Sequence, residues 1–240
     1  MNEQIRVHSI YKSISGEAGM IPQGAPCTVL RLQGCDLTCP WCDVKDSWGR
    51  GEGRTMLQGE IIEKLDDDKN KSSHLLITGG EPLLQAEGLN NLLNHPALPD
   101  YHITQLETNG RHLWEYDGID CIVYDYKLPS SNTISFSPLI FLQRIINSIH
   151  DHINVLIKFV IANDNDYEHT LNFMRVYQNN KETVQGCYAD VRFAVSNVQG
   201  DDDFNGYTNR EFVERVLKES LFDDKITIIN CQIHKFMGVK

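Results

Sequence analysis

The stretch HLLITGGEPLLQAEGLNNLL, from His74 to Leu93, reads as strand, turn and helix in that order. His74–Ile77 is a short apolar run, and a strand that is apolar without alternation is one covered on both faces, as in a parallel sheet. The glycine pair Gly79-Gly80 ends the run, and Leu83–Leu93 then carries apolar residues near the helical period. The same unit recurs along the chain. Further strands are predicted at Cys27–Leu32, His102–Leu106, Cys121–Tyr126, Val155–Ile161, Val191–Val195 and Lys225–Ile229. Further helices are predicted at Leu57–Leu65, Pro138–Ile149, Asp166–Tyr177 and Arg210–Leu221. Thr55 with Gln58, and Thr208 with Glu211, fit the reciprocal capping pattern at a helix start. Repeated strand–helix alternation predicts an α/β fold with a parallel sheet and right-handed crossovers. About six such units are too few for a closed eight-fold barrel. The expected architecture is therefore a single-domain partial (open) β/α barrel spanning residues 1–240. Ser13–Gly24 and Asn197–Gly206 read as loops, the second of them exposed.

Composition excludes several classes of function. A net charge of −11 over 240 residues leaves no basic face for nucleic acid and argues against binding to an anionic membrane surface. No apolar run approaches the roughly 18 residues of a membrane span, and Met1–Arg6 lacks the profile of an export signal. These features predict a cytoplasmic protein. Seven cysteines, an odd number, do not suggest a disulfide framework in that compartment. Cys27, Cys121, Cys187 and Cys231 each lie in an apolar stretch and are expected to be buried small hydrophobes.

The other three, Cys35, Cys39 and Cys42, fall within GCDLTCPWCD (Gly34–Asp43). Zinc normally takes four ligands, often from two paired knuckles. No second Cys-x-x-Cys pair exists here, and His8 or Cys27 would be a fourth ligand without knuckle spacing. Three thiolates on one short loop suit a [4Fe–4S] cubane with one iron left open. A cluster held by four cysteines mostly carries electrons, whereas an open iron can activate a small molecule.

This Cys-x-x-x-Cys-x-x-Cys pattern, with Trp41 just before the last cysteine, resembles the signature of radical S-adenosylmethionine (SAM) enzymes. The resemblance implies that the open iron chelates the methionine part of SAM, and that reductive cleavage yields a 5′-deoxyadenosyl radical. Thr78-Gly79-Gly80-Glu81-Pro82 is similar to the superfamily segment that binds the methionine ammonium group. Three further segments follow predicted strands, where parallel α/β folds bind ligands. They are Glu107-Thr108-Asn109-Gly110, Asp125 to Ser131, and Gln232 to Phe236.

Taken in order, the segments resemble one family, the 7-carboxy-7-deazaguanine synthases. The matching pieces are Ser15-Gly16-Glu17, Arg31 to Cys35, Trp41-Cys42-Asp43 with Lys45 and Trp48, and Thr78 to Gln85. Beyond them come Glu107 to Gly110, Lys127 with Pro129-Ser130-Ser131, Lys158 to Ile161, and Gln232-x-His234-Lys235. The resemblance implies that Ile14, Ser15, Gly16, Glu17, Arg31, Thr78 and His234 bind a pterin substrate, Arg31 through its carboxylate. Glu17, Arg31 and His234 would be the catalytic residues. Trp41, Cys42, Asp43, Gly80, Glu81, Asp125, Tyr126 and Lys127 would contact SAM, and Cys35, Cys39 and Cys42 would hold the cluster. The implied reaction is ring contraction of 6-carboxy-5,6,7,8-tetrahydropterin to 7-carboxy-7-deazaguanine with loss of ammonia, in queuosine and 7-deazapurine biosynthesis. A flavodoxin or ferredoxin electron donor and a homodimer are implied too.

Three positions depart from the family's pattern. Val44 stands where a threonine or serine usually binds Mg2+, and valine offers no oxygen to a hard cation. Either substrate and water hold the metal, or Asp43 or Ser47 serves, or the metal is dispensable. Ser15-Gly16-Glu17-Ala18 replaces Gln-Gly-Glu-Gly, and Asp125-Tyr126-Lys127 replaces Ser-Pro-Lys. Two other readings compete: a glycyl-radical activating enzyme, which would not need Arg31, Glu17 and Gln-x-His-Lys together, and a non-enzymatic metal or electron-transfer module.

Overall fold

The computed structural model describes residues 4–49, 51, 53–115, 117–133, 136–148, 153–180, 182, 191–198, 207–222 and 227–239. The chain opens with a hairpin of β1 (Gln4–Ile14) and β2 (Pro26–Leu32), and β3 (Arg54–Leu57) pairs on the far side of β1. Six more strands follow: β4 (His74–Gly79), β5 (Ile103–Thr108), β6 (Cys121–Asp125), β7 (Asn154–Ile161), β8 (Val191–Asn197) and β9 (Thr227–Asn230). β2 pairs parallel with β4, and from β4 onward each strand pairs parallel with the next. The nine form one sheet in the order β3-β1-β2-β4-β5-β6-β7-β8-β9, open between its two edges. The parallel β/α architecture is the expected one. β1 and β3 were not expected, and β1 pairs antiparallel with both β2 and β3. In β1 strict alternation is confined to Ile5 and Val7; a register shift between Val7 and Ser9 then leaves the strand half-buried, which blurs its pattern.

The helices are α1 (Gln58–Asp66), α2 (Ala86–Leu93), α3 (Pro138–Ser148), α4 (Asp164–Asn179), α5 (Asn209–Lys218) and α6 (Ile233–Met237). Thr208 caps α5 as predicted: its hydroxyl accepts from the Glu211 N–H, and Glu211 accepts from the Thr208 N–H at 3.0 Å. The predicted cap at Thr55 is not formed, because Thr55 lies inside β3; Glu60 accepts instead from the Leu57 N–H at 2.9 Å. The expected helix from Leu83 begins as a 3-10 turn over Pro82–Gln85. The expected exposed loop after Asn197, the start of the Lys225–Ile229 strand and Cys187 lie outside the described residues. Cys27 and Cys121 are buried as expected, whereas Cys231 is only partly covered.

Apolar residues on both faces of the strands divide the core in two. Leu30, Ile77, Leu106, Tyr124, Phe159 and Phe193 pack against the helices. Val29, Leu76, Ile103, Cys121, Val123, Leu156 and Ala194 face the interior. No helix among the described residues fills that interior. The segment between β1 and β2 does, placing Ala18, Met20 and Ile21 on those side chains. A chain in a dry interior needs partners for its N–H groups. Gln105 Oε1 accepts from Met20 N at 2.8 Å and from Ile21 N at 3.1 Å, and Asn230 Oδ1 accepts from Ala18 N at 2.7 Å. The loop predicted at Ser13–Gly24 is thus an interior plug, with Ser13 and Ile14 still in β1.

Replacing Gln105 with alanine strands two buried donors at once. The expected loss is about 3 kcal/mol, read as a lower urea midpoint with an unchanged denaturant slope.

Candidate active site

Two residues beyond the interior apolar layer, toward the carboxyl end of each parallel strand, the side chains turn polar. Arg31 follows Val29, Thr78 follows Leu76, Asp125 follows Val123 and Lys158 follows Leu156. Arg31 sits beside Thr78 in register, and Asp125 beside Lys158. Together with Glu107 they floor one pocket. Its walls come from the plug (Ile14, Gly16, Glu17), from Tyr11, from the loop carrying Cys35, Cys39, Trp41, Cys42, Asp43 and Val44, and from Gln232 and His234.

Glu17 is brought to the floor by the plug. Its carboxylate is 2.6 Å from Lys158 Nζ and accepts from Gln232 Nε2 at 2.7 Å. Burial works against its ionisation, but the Lys158 ammonium and these hydrogen bonds outweigh that and hold the carboxyl below its usual range. Gly16 lies so close to His234 that a Cβ there would fall 1.8 Å from Nδ1, and Ile233 N–H donates to Gly16 O at 3.0 Å. The C-terminal segment is thereby pressed onto the plug. Arg31 Nη2 donates to Tyr11 Oη at 3.1 Å, which fixes the guanidinium at the pocket wall.

Glu107 accepts from Thr78 Oγ1 at 3.1 Å. Burial pushes its carboxyl up to about 6; Lys158 opposes this, and the Glu17 charge adds to it. The floor therefore pairs a carboxylate held ionised with one that takes up a proton near neutrality, the arrangement by which two acids in one site acquire different roles.

Two donors reach the sulfurs of the cysteine loop. Leu37 N–H donates to Cys35 Sγ at 3.4 Å and Trp48 Nε1 to Cys42 Sγ at 3.2 Å. Burial pushes the Cys35 thiol up to about 11 and raises Cys39 as well, so bound iron is what would hold them as thiolates. Among the described residues no three Cys, His, Asp or Glu side chains converge on a single ion. Trp41 Nε1 donates to Ser130 Oγ at 3.1 Å, and Lys127 Nζ lies 5.0 Å from the centroid of the Trp41 ring. Lys127 in turn is 3.0 Å from Asp125 Oδ2, and with Lys158 it holds that buried carboxylate below its usual range.

Three residues expected in the site are not on its surface. Tyr126 turns into the aromatic core, with ring centroids 4.9 Å from Phe141 and 4.8 Å from Phe173, and its hydroxyl donates to Phe136 O. A strand alternates its sides, so Asp125 and Lys127 face the pocket and the residue between them cannot. Ser15 is buried, donating to Glu17 O at 3.2 Å, and shapes the turn of the plug. Glu81 is fully buried and accepts from Leu83 N and Thr108 Oγ1, both at 2.8 Å, and from Asn109 N at 2.7 Å. It ties the end of β4 to the end of β5. The neighbouring Gly80 does line the pocket, but the close approach it permits is also to the chain itself: a Cβ there would lie 2.3 Å from Gly34 O. Lys158, Glu107 and Gln232 had been placed only in matching segments, with no role, and Tyr11 not at all. The signal that finds Lys158 is a polar residue within an otherwise apolar strand; Glu107 follows the inward-facing Gln105 and carries no such signal.

The residues present do not fit Mg2+. Ser47 is buried and its hydroxyl donates to Val44 O at 2.7 Å. Asp43 Oδ2 is engaged by Lys235 Nζ at 3.0 Å and Gln232 Nε2 at 3.2 Å. A hard cation needs an oxygen cage, and the Ser47 hydroxyl and Asp43 Oδ2 are already engaged.

The raised Glu107 carboxyl predicts a pH dependence. Between about pH 4.5 and pH 6 the folded chain keeps a proton there that the unfolded chain has released. The stability from this site is full below that window and is lost as pH rises through it, by about 2 kcal/mol. Unfolding measured from pH 4 to pH 7 should show this fall in the wild type, and Glu107→Gln should remove it.

The radical SAM superfamily model matches residues 29–120. The 7-carboxy-7-deazaguanine synthase of Hyperthermus butylicus is 36% identical over 110 residues, covering 46% of this chain and 45% of that one, so there the chain spans under half of its relative's length. That of Leptospira interrogans is 30% identical over 192 residues, covering 71% of this chain and 76% of that one. The crystal structure of QueE from Escherichia coli superposes with a TM-score of 0.60 at 19% identity, covering 82% of this chain and 85% of that one, which shows a common fold. Identity that extends across three quarters of the Leptospira enzyme, over a radical SAM core, places the chain in the 7-carboxy-7-deazaguanine synthase family of radical SAM enzymes.

Proposed function

We propose that this chain contracts the ring of 6-carboxy-5,6,7,8-tetrahydropterin to 7-carboxy-7-deazaguanine with release of ammonia, as a step of queuosine or related 7-deazapurine biosynthesis. The observation that carries the reading is that Glu17, held ionised, and the Arg31 guanidinium share one pocket with the three cysteines. A [4Fe–4S] cluster on Cys35, Cys39 and Cys42, with SAM, would supply the one-electron chemistry that starts hydrogen abstraction. The chain's own residues bind and orient the substrate. The Arg31 fork takes the carboxylate in a planar, bidentate pair. Glu17 accepts from the amide and amino edge of the pterin, whose donors an ionised carboxylate matches. Thr78 and His234 line the same wall. Leu37, Val44 and Trp48 supply apolar surface that keeps water and stray hydrogen donors from the reacting carbon. On the cofactor side stand Trp41, Asp43, Gly80, Asp125 and Lys127. The reading brings with it a flavodoxin or ferredoxin as reductant, a homodimer and a cytoplasmic setting. No helix among the described residues is long and apolar enough to cross a membrane.

Anaerobically reconstituted protein, given SAM, a reductant and the carboxy-tetrahydropterin, should form the deazaguanine acid and ammonia in equal amounts, followed by mass spectrometry. Absence of product from protein that holds its cluster and cleaves SAM would overturn the reading. Arg31→Met should raise KM about a hundredfold, the loss of a charge-assisted pair, with a smaller change in kcat. With no oxygen set for Mg2+, turnover should stay within about twofold when the assay contains EDTA in place of added Mg2+; collapse of the rate would show a metal site that these residues do not predict.

A further inference from the structure

Lys158 lies on the floor of the pocket. Its side chain is only 8% exposed, and its ammonium faces two carboxylates from different parts of the chain: Glu17 at 2.6 Å and Asp125 at 3.7 Å. The two depend on it unequally. Asp125 keeps a second ammonium, Lys127, at 3.0 Å. Among the described residues Glu17 has no other cation so close: its remaining partners, Gln232 at 2.7 Å and Asn230 at 3.4 Å, are neutral amides. The other titratable groups around Glu17 do not replace the lysine. Glu107 and Asp125 are acids on β5 and β6, Asp43 is an acid already paired with Lys235, and His234 packs its ring on Gly16.

We propose that Lys158 is a positioning residue for the substrate: its ammonium keeps Glu17 ionised and in place, and so sets the pH range over which the pterin can bind. The inference rests on the reading above, in which Glu17 accepts from the pterin edge. A carboxylate left in this enclosed floor without a counter-ion would take up a proton rather than stay charged. A protonated Glu17 would present a donor where the pterin presents donors, and the match would be lost. The cofactor side would be spared, because Lys127 remains on Asp125.

The test is equilibrium binding of 6-carboxy-5,6,7,8-tetrahydropterin to the cluster-loaded, SAM-bound protein from pH 6 to pH 8.5, with SAM binding measured alongside. Wild type should show a Kd nearly independent of pH above about pH 7, where Glu107 has released its proton. Lys158→Met should bind weakly at pH 6, and its Kd should recover about tenfold per pH unit as Glu17 ionises, while SAM affinity changes less than about threefold, as expected where Lys127 still neutralises Asp125. Lys158→Arg, which keeps the charge, should retain the flat profile. Glu17→Gln should bind weakly at every pH. The inference is overturned if Lys158→Met binds as wild type does, if it loses substrate and SAM alike without a pH slope, or if Lys158→Arg acquires the slope. Should Lys158→Met not fold, the flat or sloping profile of Lys158→Arg decides. A wild type that binds SAM but not the carboxy-tetrahydropterin would instead bring down the proposed function, and this inference with it.

Discussion

An open β/α sheet has an interior face that its own helices cannot cover. In this chain a hairpin connection fills that space, and everything at the site depends on its being held there. Polypeptide in a dry interior brings N–H groups that must find acceptors. One glutamine on the central strand β5, Gln105, supplies an acceptor for two of them, and Asn230 on the edge strand β9 supplies a third. The plug is thus tied to the middle and to the far end of the sheet at once. Glu17 lies one residue before the first of these anchored amides, at Ala18, so its position on the floor follows from backbone bonding below it. The same bonding brings Gly16 under His234, and with it the C-terminal segment.

Above the plug, the pocket is arranged by charges that have few alternatives. Glu17, Asp125, Lys158 and Lys127 form a buried line from the plug to the cysteine loop, in which each charge is satisfied by the next. Such a line is costly to form, since every member gives up water, and breaking one link leaves a neighbour exposed to the full penalty of burial. Glu81 solves a different problem in a different way. Among the described residues it has no ion-pair partner in contact and is stabilised by three donors from the backbone and Thr108, yet burial still raises its carboxyl. Its bonds to Thr108 and Asn109 hold the glycine turn against Gly34, so the loop that carries the cysteines and the turn after β4 are set by one contact region.

The parallel strands were legible because strands buried on both faces are apolar throughout, and β7, with VLIKFVI from Val155 to Ile161, is the clearest case. The single polar residue in that run, Lys158, was also the one that matters most at the floor. Within a run of this kind a lysine marks where the inward-facing side meets the pocket. The cysteine loop and the Gly-Gly-Glu-Pro turn were legible as chemistry. Their division of labour was not: spacing cannot tell that Gly80 lines the pocket while Glu81 faces away from it, or that Asp125 and Lys127 are seen and Tyr126 is not. Those distinctions depend on which side of a strand is inside, and period-two patterns are silent when both sides are apolar. β1 escaped for the opposite reason, since its half-buried outer part carries His8, Ser9, Tyr11 and Lys12 in no regular order.

Val44 is the position where the chain departs most from the pattern that its family resemblance implies. A hydroxyl there would have presented an oxygen to the pocket; valine presents apolar surface. Asp43, the nearest carboxylate, is held below its usual range by Lys235, against the pull of burial. A tethered ammonium and a divalent cation both neutralise an acid, but they differ in what they require. The cation needs several oxygens converging at fixed distances, while the lysine needs one carboxylate and brings its own tether. The C-terminal segment that supplies Lys235 also supplies Gln232 to both Glu17 and Asp43. Losing one oxygen beside the last cysteine is therefore compatible with an ordered site, provided the segment after β9 stays docked on the plug.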